Sequence, residues 1–344
     1  MARVARGLAV LAVVLAVIAG AAWFGGRAWL AHYLQTPLAL EEPRILDVPA
    51  GSSLKGVANE LAQDGVLKFP AVLTEWARYT GDAARIRAGE YEITPETTAA
   101  GLVDLLVRGQ AVLHSVTLVE GWTFAEMQAA LAAHPALVAT ETGADAAALM
   151  AELGQPGMHP EGWFLPETYR FARGTRDVVI LRQAYEAMQS ALASAWQERP
   201  DDFPLESAYE VLILASIIER ETGLDAERDQ VAGVFVRRLN KGMRLQTDPT
   251  VIYGLGEDFD GDLKRADLRR DTPYNTYTRS GLPPTPIAMP GRASLAAAVS
   301  PAEGNALYFV ATGKGDGSHK FSATLEEHNR AVAEYLRRLR QGGR

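Results

Sequence analysis

The 344-residue chain contains no cysteine. That excludes disulfides, thiolate nucleophiles and acylated-cysteine lipid anchors, so stability has to come from buried area. Histidine is scarce: His32, His114, His134, His159, His319 and His328 show no H-E-x-x-H or other close ligand spacing. A zinc hydrolase is thereby disfavoured, and no metal and no cofactor are expected. No G-x-S-x-G nucleophile elbow is present. The glycine-rich run Gly313 to Ser318 lacks the G-x-x-x-x-G-K-[ST] spacing and a following helix, so it reads as a hairpin tip and not as a phosphate loop. An excess of basic charge is missing too; the formal net charge of −8 speaks against nucleic acid as a partner.

One further absence carries a positive message. Between Gly7 and Gly26 there is no charged side chain. Twenty helical residues rise about 30 Å, the thickness of a bilayer's hydrocarbon core. Trp23, Phe24 and Trp29 fall near the far end, where aromatic rings favour the headgroup layer, and Arg3 and Arg6 place the short N-terminal side in the cytoplasm. Arg27 weakens that asymmetry. The expectation is a cytoplasmic tail over 1–6, a transmembrane helix over 7–30 and a linker over 31–43 holding Pro37 and Pro43. A cleaved secretory signal is the rival, since Ala19-Gly20-Ala21 would serve as a cleavage site, but its apolar region would be unusually long. Either way the remainder is exported, and it is long enough for two or three domains.

The exported part reads as α+β. Arg44 to Val48 has a strand pattern, Gly51-Ser52-Ser53 a turn with an N-cap, and Leu54, Val57, Ala58 and Leu61 a helical stripe. A second helix ends at Gly81, Ala88 to Ile93 is strand-like, and a third helix runs from about Thr98 to Val107. The glycine, hydroxyl and apolar spacing of Gly51 to Leu61 returns in Gly121 to Leu131, where Thr123 and Glu126 form a capping box after a strand-like Val116 to Val119. Two copies suggest two strand–turn–helix modules of one type, and no solenoid. Toward the C-terminus, strands at Leu307 to Ala311 and His319 to Ser322 precede a helix capped by Thr324 and Glu327.

The helix beginning at Ser207, which forms a capping box with Glu210, is apolar all round from Val211 to Ile218 and so is expected to be buried on nearly all sides. Glu219 leaves it between the directions of Leu212 and Ala215, on an otherwise apolar side where desolvation would favour the protonated acid. Such a group suits general acid catalysis of glycosidic cleavage. Glu221 qualifies equally on periodicity. Further on, Asp248 as N-cap with Pro249 behind it marks a helix start. Thr272 to Tyr277 leads into a proline-rich, ordered loop over Gly281 to Gly291. Loops rich in Tyr, Asn and Thr suit carbohydrate grooves, and they also occur on plain surfaces.

With these strings in view the chain resembles the YceG-like family of endolytic murein transglycosylases. The matching segments are Ala215 to Thr222, Met243 to Gly254, Tyr274 to Tyr277 with Gly281 to Pro284, and Phe309 to Phe321, and the similarity covers essentially everything after the anchor, the anchor included. The resemblance implies a single-pass inner-membrane protein with a LysM-like module over 44–110 and a catalytic domain over 111–344. It implies non-hydrolytic cleavage of the MurNAc–GlcNAc β-1,4 bond in peptidoglycan strands, leaving 1,6-anhydro-MurNAc ends. It assigns the essential acid to Glu219, which would protonate the leaving oxygen and then take the proton of the MurNAc 6-hydroxyl. Gln246, Thr247, Asp248, Asn275, Thr276 and Tyr277 are the expected groove residues, Glu221 the secondary candidate, and membrane-bound peptidoglycan synthases the expected partners. Two other functions stay open. One is a muramidase, which would need a second carboxylate such as Asp248; the other is a non-catalytic glycan-binding scaffold resting on the LysM-like module.

Overall fold

A computed structural model describes residues 2–201 and 203–342; Met1 and the Arg3 and Arg6 side chains, on which the expected orientation in the membrane rests, lie outside that description. The chain divides into two units, Met1–His114 with Phe171–Gly174, and Ser115–Arg170 with Thr175–Arg344.

The first unit opens with α1 (Ala2–Gln35), 34 residues long. At 1.5 Å per residue that is about 51 Å, well beyond a hydrocarbon core. Within it Val13–Gln35 is long and apolar enough to cross a membrane, which fits a signal anchor or a signal sequence. Where the sequence suggested a linker, the helix continues to Gln35 and the next residues are hydrogen-bonded. Leu38 N–H donates to Thr97 O (2.8 Å), Ala39 N–H to Val66 O (2.9 Å), and Pro37 bridges Thr98. These bonds satisfy backbone groups that a free linker would leave to water.

Strands β1 (Arg44–Val48) and β2 (Gly89–Ile93) pair antiparallel with Leu46 opposite Tyr91. Period-2 alternation turns Leu46 and Val48 inward and leaves Ile45 exposed. Between them lie α2 (Leu54–Gln63), capped by the Ser53 side chain, and α3 (Pro70–Thr80). Then α4 (Ala99–Arg108) follows, capped by Thr98. Leu46, Leu61, Leu73, Tyr91, Ile93 and Leu106 form the core, and Leu30, Tyr33 and Leu34 from the last turns of α1 pack against it.

The second unit takes over within β3 (Leu113–Thr117), which pairs with β5 (Thr168–Ala172); β3 starts three residues before the expected strand. Between them come α5 (Phe124–Ala132), β4 (Leu137–Val138), α6 (Glu141–Ala144) and α7 (Ala146–Glu152). The Thr123–Glu126 capping box of α5 is complete, and Gly51 and Gly121 share a left-handed backbone (φ 85° and 79°), as the internal echo requires. After β6 (Thr175–Arg176), parallel to β4, the helices α8 (Asp177–Gln197), α9 (Ala208–Glu221), α10 (Asp225–Asn240), α11 (Asp248–Leu255) and α12 (Arg292–Val299) build the body of the unit. The antiparallel pair β7 (Tyr308–Ala311) and β8 (His319–Ser322) confirms the hairpin, and α13 (Leu325–Gly342) closes the chain.

At the centre is α9, packed against α12, α10 and α8. Every residue from Val211 to Ile218 is buried, none more than 4% exposed. Each large apolar side chain placed there contributes about 1.5–3 kcal/mol of burial. A helix so enclosed is held on all sides, and that packing positions the residues that follow Ile218.

Candidate active site

The end of α9 carries Glu219, Arg220 and Glu221, and rotation of about 100° per residue sends the three into different surroundings. Glu219 is partly exposed. Its Oε2 accepts from Gly291 N–H (2.9 Å) and from Ser294 Oγ (2.7 Å), the N-cap and first turn of α12. Oε1 accepts no hydrogen bond among the described residues. The sequence suggested apolar surroundings for this carboxylate; the structure gives it two polar donors from a segment distant in the chain.

Ser216 brings that segment in. Wholly buried on α9, it donates to Ile213 O and accepts from Ile287 N–H (3.0 Å), pinning the proline-rich loop to the helix. Met289 then exchanges backbone bonds with Gly121 and Trp122, at 2.9 and 2.7 Å. The same stretch is held from below by Arg220 Nη1 on Gly121 O (3.0 Å). Glu120 is thereby set against Gly291, where a Cβ would come within 1.8 Å of its Oε1. Glu120 is pushed above the usual carboxylate range, first by burial and then by the Glu219 charge beside it. Two carboxylates flank one glycine.

Glu221 faces away from this pair, into a cavity of about 440 Å³ that Gln246, Asp248, Tyr277, Arg238 and His319 also line. Burial raises its carboxyl to about 7 against the opposing hydrogen bond from the Thr247 hydroxyl. Three of the expected groove residues, Gln246, Asp248 and Tyr277, share that cavity. Tyr277 OH donates to Asp248 Oδ1 (2.6 Å), and Gln246 is exposed with a left-handed backbone at φ 52°. The other three are internal. Asn275, 1% exposed, donates to the carbonyls of Asp267, Leu268 and Arg270 and accepts from Tyr277 N–H. Thr276 joins Thr247 N–H and the Thr250 hydroxyl, and Thr247 reaches Glu221. These three are buried and their side chains are hydrogen-bonded within the protein, which holds the loops in place. The N-cap of α11 is also Thr247, one residue before the expected Asp248; its side chain bonds Glu221 and makes no cap hydrogen bond, and Pro249 sits in the first turn.

Another carboxylate, besides Glu120, escaped sequence reasoning. Glu161, 3% exposed, accepts from Phe124 N–H (2.9 Å) and Tyr253 OH (3.0 Å), and burial raises it to about 7. It faces a cavity of about 720 Å³ with Arg220, His159, Tyr253 and Tyr274 in its walls. The available signal was an acid inside the aromatic run Glu161 to Tyr169. Among the described residues Glu219 lines neither cavity. Glu120 and Ser294 had no local signal, since neither belongs to a motif near Glu219.

The YceG-like family profile matches residues 46–334. An endolytic murein transglycosylase of Bacillus subtilis is 30% identical over 315 residues, covering 85% of this chain and 84% of its own length. One from Streptococcus pneumoniae is 24% identical across 94% of this chain, which spans 64% of that longer protein. The crystal structure of a yceG-like protein from Listeria monocytogenes superposes with a TM-score of 0.53 at 31% identity, covering 85% of this chain and 99% of the other. With a match over that much of its length, this chain belongs to the YceG-like family.

Proposed function

We propose that the protein is an endolytic murein transglycosylase, held at the outer face of the cytoplasmic membrane by α1. It cleaves the MurNAc–GlcNAc β-1,4 bond inside nascent peptidoglycan strands and leaves 1,6-anhydro-MurNAc ends, beside the synthases that make those strands. The observation that carries this reading is the asymmetric fixing of Glu219. Oε2 is occupied by the Gly291 N–H and Ser294 hydroxyl, and Oε1 is the oxygen left to hold a proton. One oxygen orients the carboxyl and the other does the proton transfer, as acid–base catalysis requires.

In the first half of the reaction Glu219 gives its proton to the departing glycosidic oxygen. In the second it receives the proton of the MurNAc 6-hydroxyl as that oxygen closes on C1. The substrate supplies its own nucleophile, so one enzymic carboxyl suffices. The names carried by the Bacillus and Streptococcus relatives support the substrate class. Digestion of purified glycan strands by the detergent-solubilised full chain tests the reading: products must lack one water relative to hydrolysis, and Glu219→Gln must form them at least about a hundredfold more slowly while the fold stays intact.

Glu120 supports a second reading, hydrolysis. It stands across Gly291 from Glu219, whereas Asp248 belongs with Glu221. A water activated there would yield free reducing ends, and the same product masses separate the two.

A further inference from the structure

The last turns of α1 do not leave the first unit's surface; they are part of its core. Tyr33 is 7% exposed and donates to Lys68 O (2.7 Å), and Trp29 stacks on Tyr33 with centroids 5.8 Å apart. Phe69, the residue before α3, meets both rings edge-on, at 5.5 and 6.0 Å. From there α3 runs back along α1, so that Trp76, Tyr79 and Thr80 line one cavity with Ala22, Trp23 and Arg27. Those α1 residues lie where the uncharged run Gly7 to Gly26 ends at Arg27, inside the longer apolar stretch Val13–Gln35. Tyr79 is 92% exposed and Phe69 55%.

Tyrosine and tryptophan rings, with an apolar body and a polar edge, favour the layer between hydrocarbon and water. Two of the neighbouring cations are paired, Arg78 with Glu75 and Arg85 with Asp82, while Arg27 lies over the Trp23 ring. Aromatic partition is therefore the main attraction, with Arg27 and Lys68 adding to it on an anionic surface.

We infer that the first unit docks on the bilayer surface, with the C-terminal end of α3, Trp76 and Tyr79, seated among phospholipid headgroups beside α1. The unit is a membrane-seated collar continuous with the anchor and not a module on a free tether. This rests on the reading that α1 spans the bilayer.

The absence of native cysteine makes the test direct. Val17→Cys, Thr80→Cys and Asp47→Cys are each introduced singly into the full chain, spin-labelled and reconstituted in phosphatidylethanolamine–phosphatidylglycerol vesicles. All three positions are exposed, and Trp76 and Tyr79 stay in place. The ratio of collisions with oxygen to collisions with a water-soluble nickel chelate is then read at each site. The expected result is a ratio at Thr80 severalfold above that at Asp47 and below that at Val17, an order kept when phosphatidylcholine replaces phosphatidylglycerol. A lipid-like ratio at Val17 with a water-like ratio at Thr80 overturns the docking and leaves the anchor standing. A Thr80 label shielded from both reagents means a protein covers it, which also overturns the docking. A water-like ratio at Val17 removes the anchor reading and the docking with it.

Discussion

Ser294 Oγ donates a 2.7 Å hydrogen bond to Glu219 Oε2 across 75 residues of sequence. The wholly buried serine acts on the carboxyl from the first turn of α12, and that contact makes two substitutions informative. Glu219→Gln removes the acid and should lower strand cleavage by about 10²–10⁴-fold. Ser294→Ala keeps the acid and loosens its orientation, for a loss of about 10–100-fold expected from one hydrogen bond to a charged group. That loss should fall on kcat with KM unchanged; a change confined to KM would show that Ser294 does not act through Glu219.

Gly291→Ala should displace Glu120, because the new methyl would overlap its Oε1. The backbone conformation there is ordinary (φ −77°), so crowding alone is responsible. Activity should drop in the single variant and recover in Gly291→Ala combined with Glu120→Ala, unless Glu120 itself takes part in the chemistry. Assays of strand cleavage on the two variants and on Glu120→Ala alone decide between these outcomes.

Glu221→Gln should leave most of the activity in place, in contrast to Glu219→Gln, because its carboxyl opens into a cavity that Glu219 does not line and is bonded to Thr247. Equal losses in the two variants would move the acid from Glu219 to Glu221.

Burial raises both Glu161 and Glu221 to about 7. In an unfolded chain each would titrate near 4.3, so between those values the folded protein holds more protons and stability falls as pH rises. Glu161→Gln cannot ionise. Relative to the parent, its unfolding free energy should gain at most about 3 kcal/mol between pH 4.5 and 7.5. Urea titrations at the two pH values measure this, and a pH-independent difference would refute it.

Asn275→Ala strips the donors from three carbonyls and should lower stability by about 1–3 kcal/mol or more. At temperatures where the variant is folded, KM should be near the parent value. A raised KM without loss of stability would return Asn275 to the groove.

Local order was readable from residue types. Ser53, Thr98, Thr123 and Ser207 announced helix starts, and the unbroken apolar run Val211 to Ile218 announced a helix with no solvent face. What could not be read was tertiary. The partners of Glu219 come from residues 72 and 75 positions away, reached through a proline-rich loop whose path is set by Ser216 and by Met289 pairing with Trp122. Periodicity places a side chain on a helix face and does not say what will be brought opposite it. Asn275 misled for a related reason: an amide among tyrosines and threonines suits a sugar or a tight turn equally, and only backbone geometry distinguishes them.

Gln246 holds a backbone shape that glycine adopts freely and that disfavours residues with a Cβ by roughly 1–2 kcal/mol. Its side chain stands exposed at the rim of the Glu221 cavity. The fold thus tolerates conformational strain where a long amide is displayed, a pattern that marks working surfaces. Gln246→Gly separates the two contributions: relief of strain offsets the added entropy of the unfolded chain, so stability should stay within about 1 kcal/mol. The variant loses what the amide does for the ligand together with one long hydrogen bond from Arg238 Nη1 (3.4 Å), which makes position 246 a place where usefulness and stability can be weighed against each other.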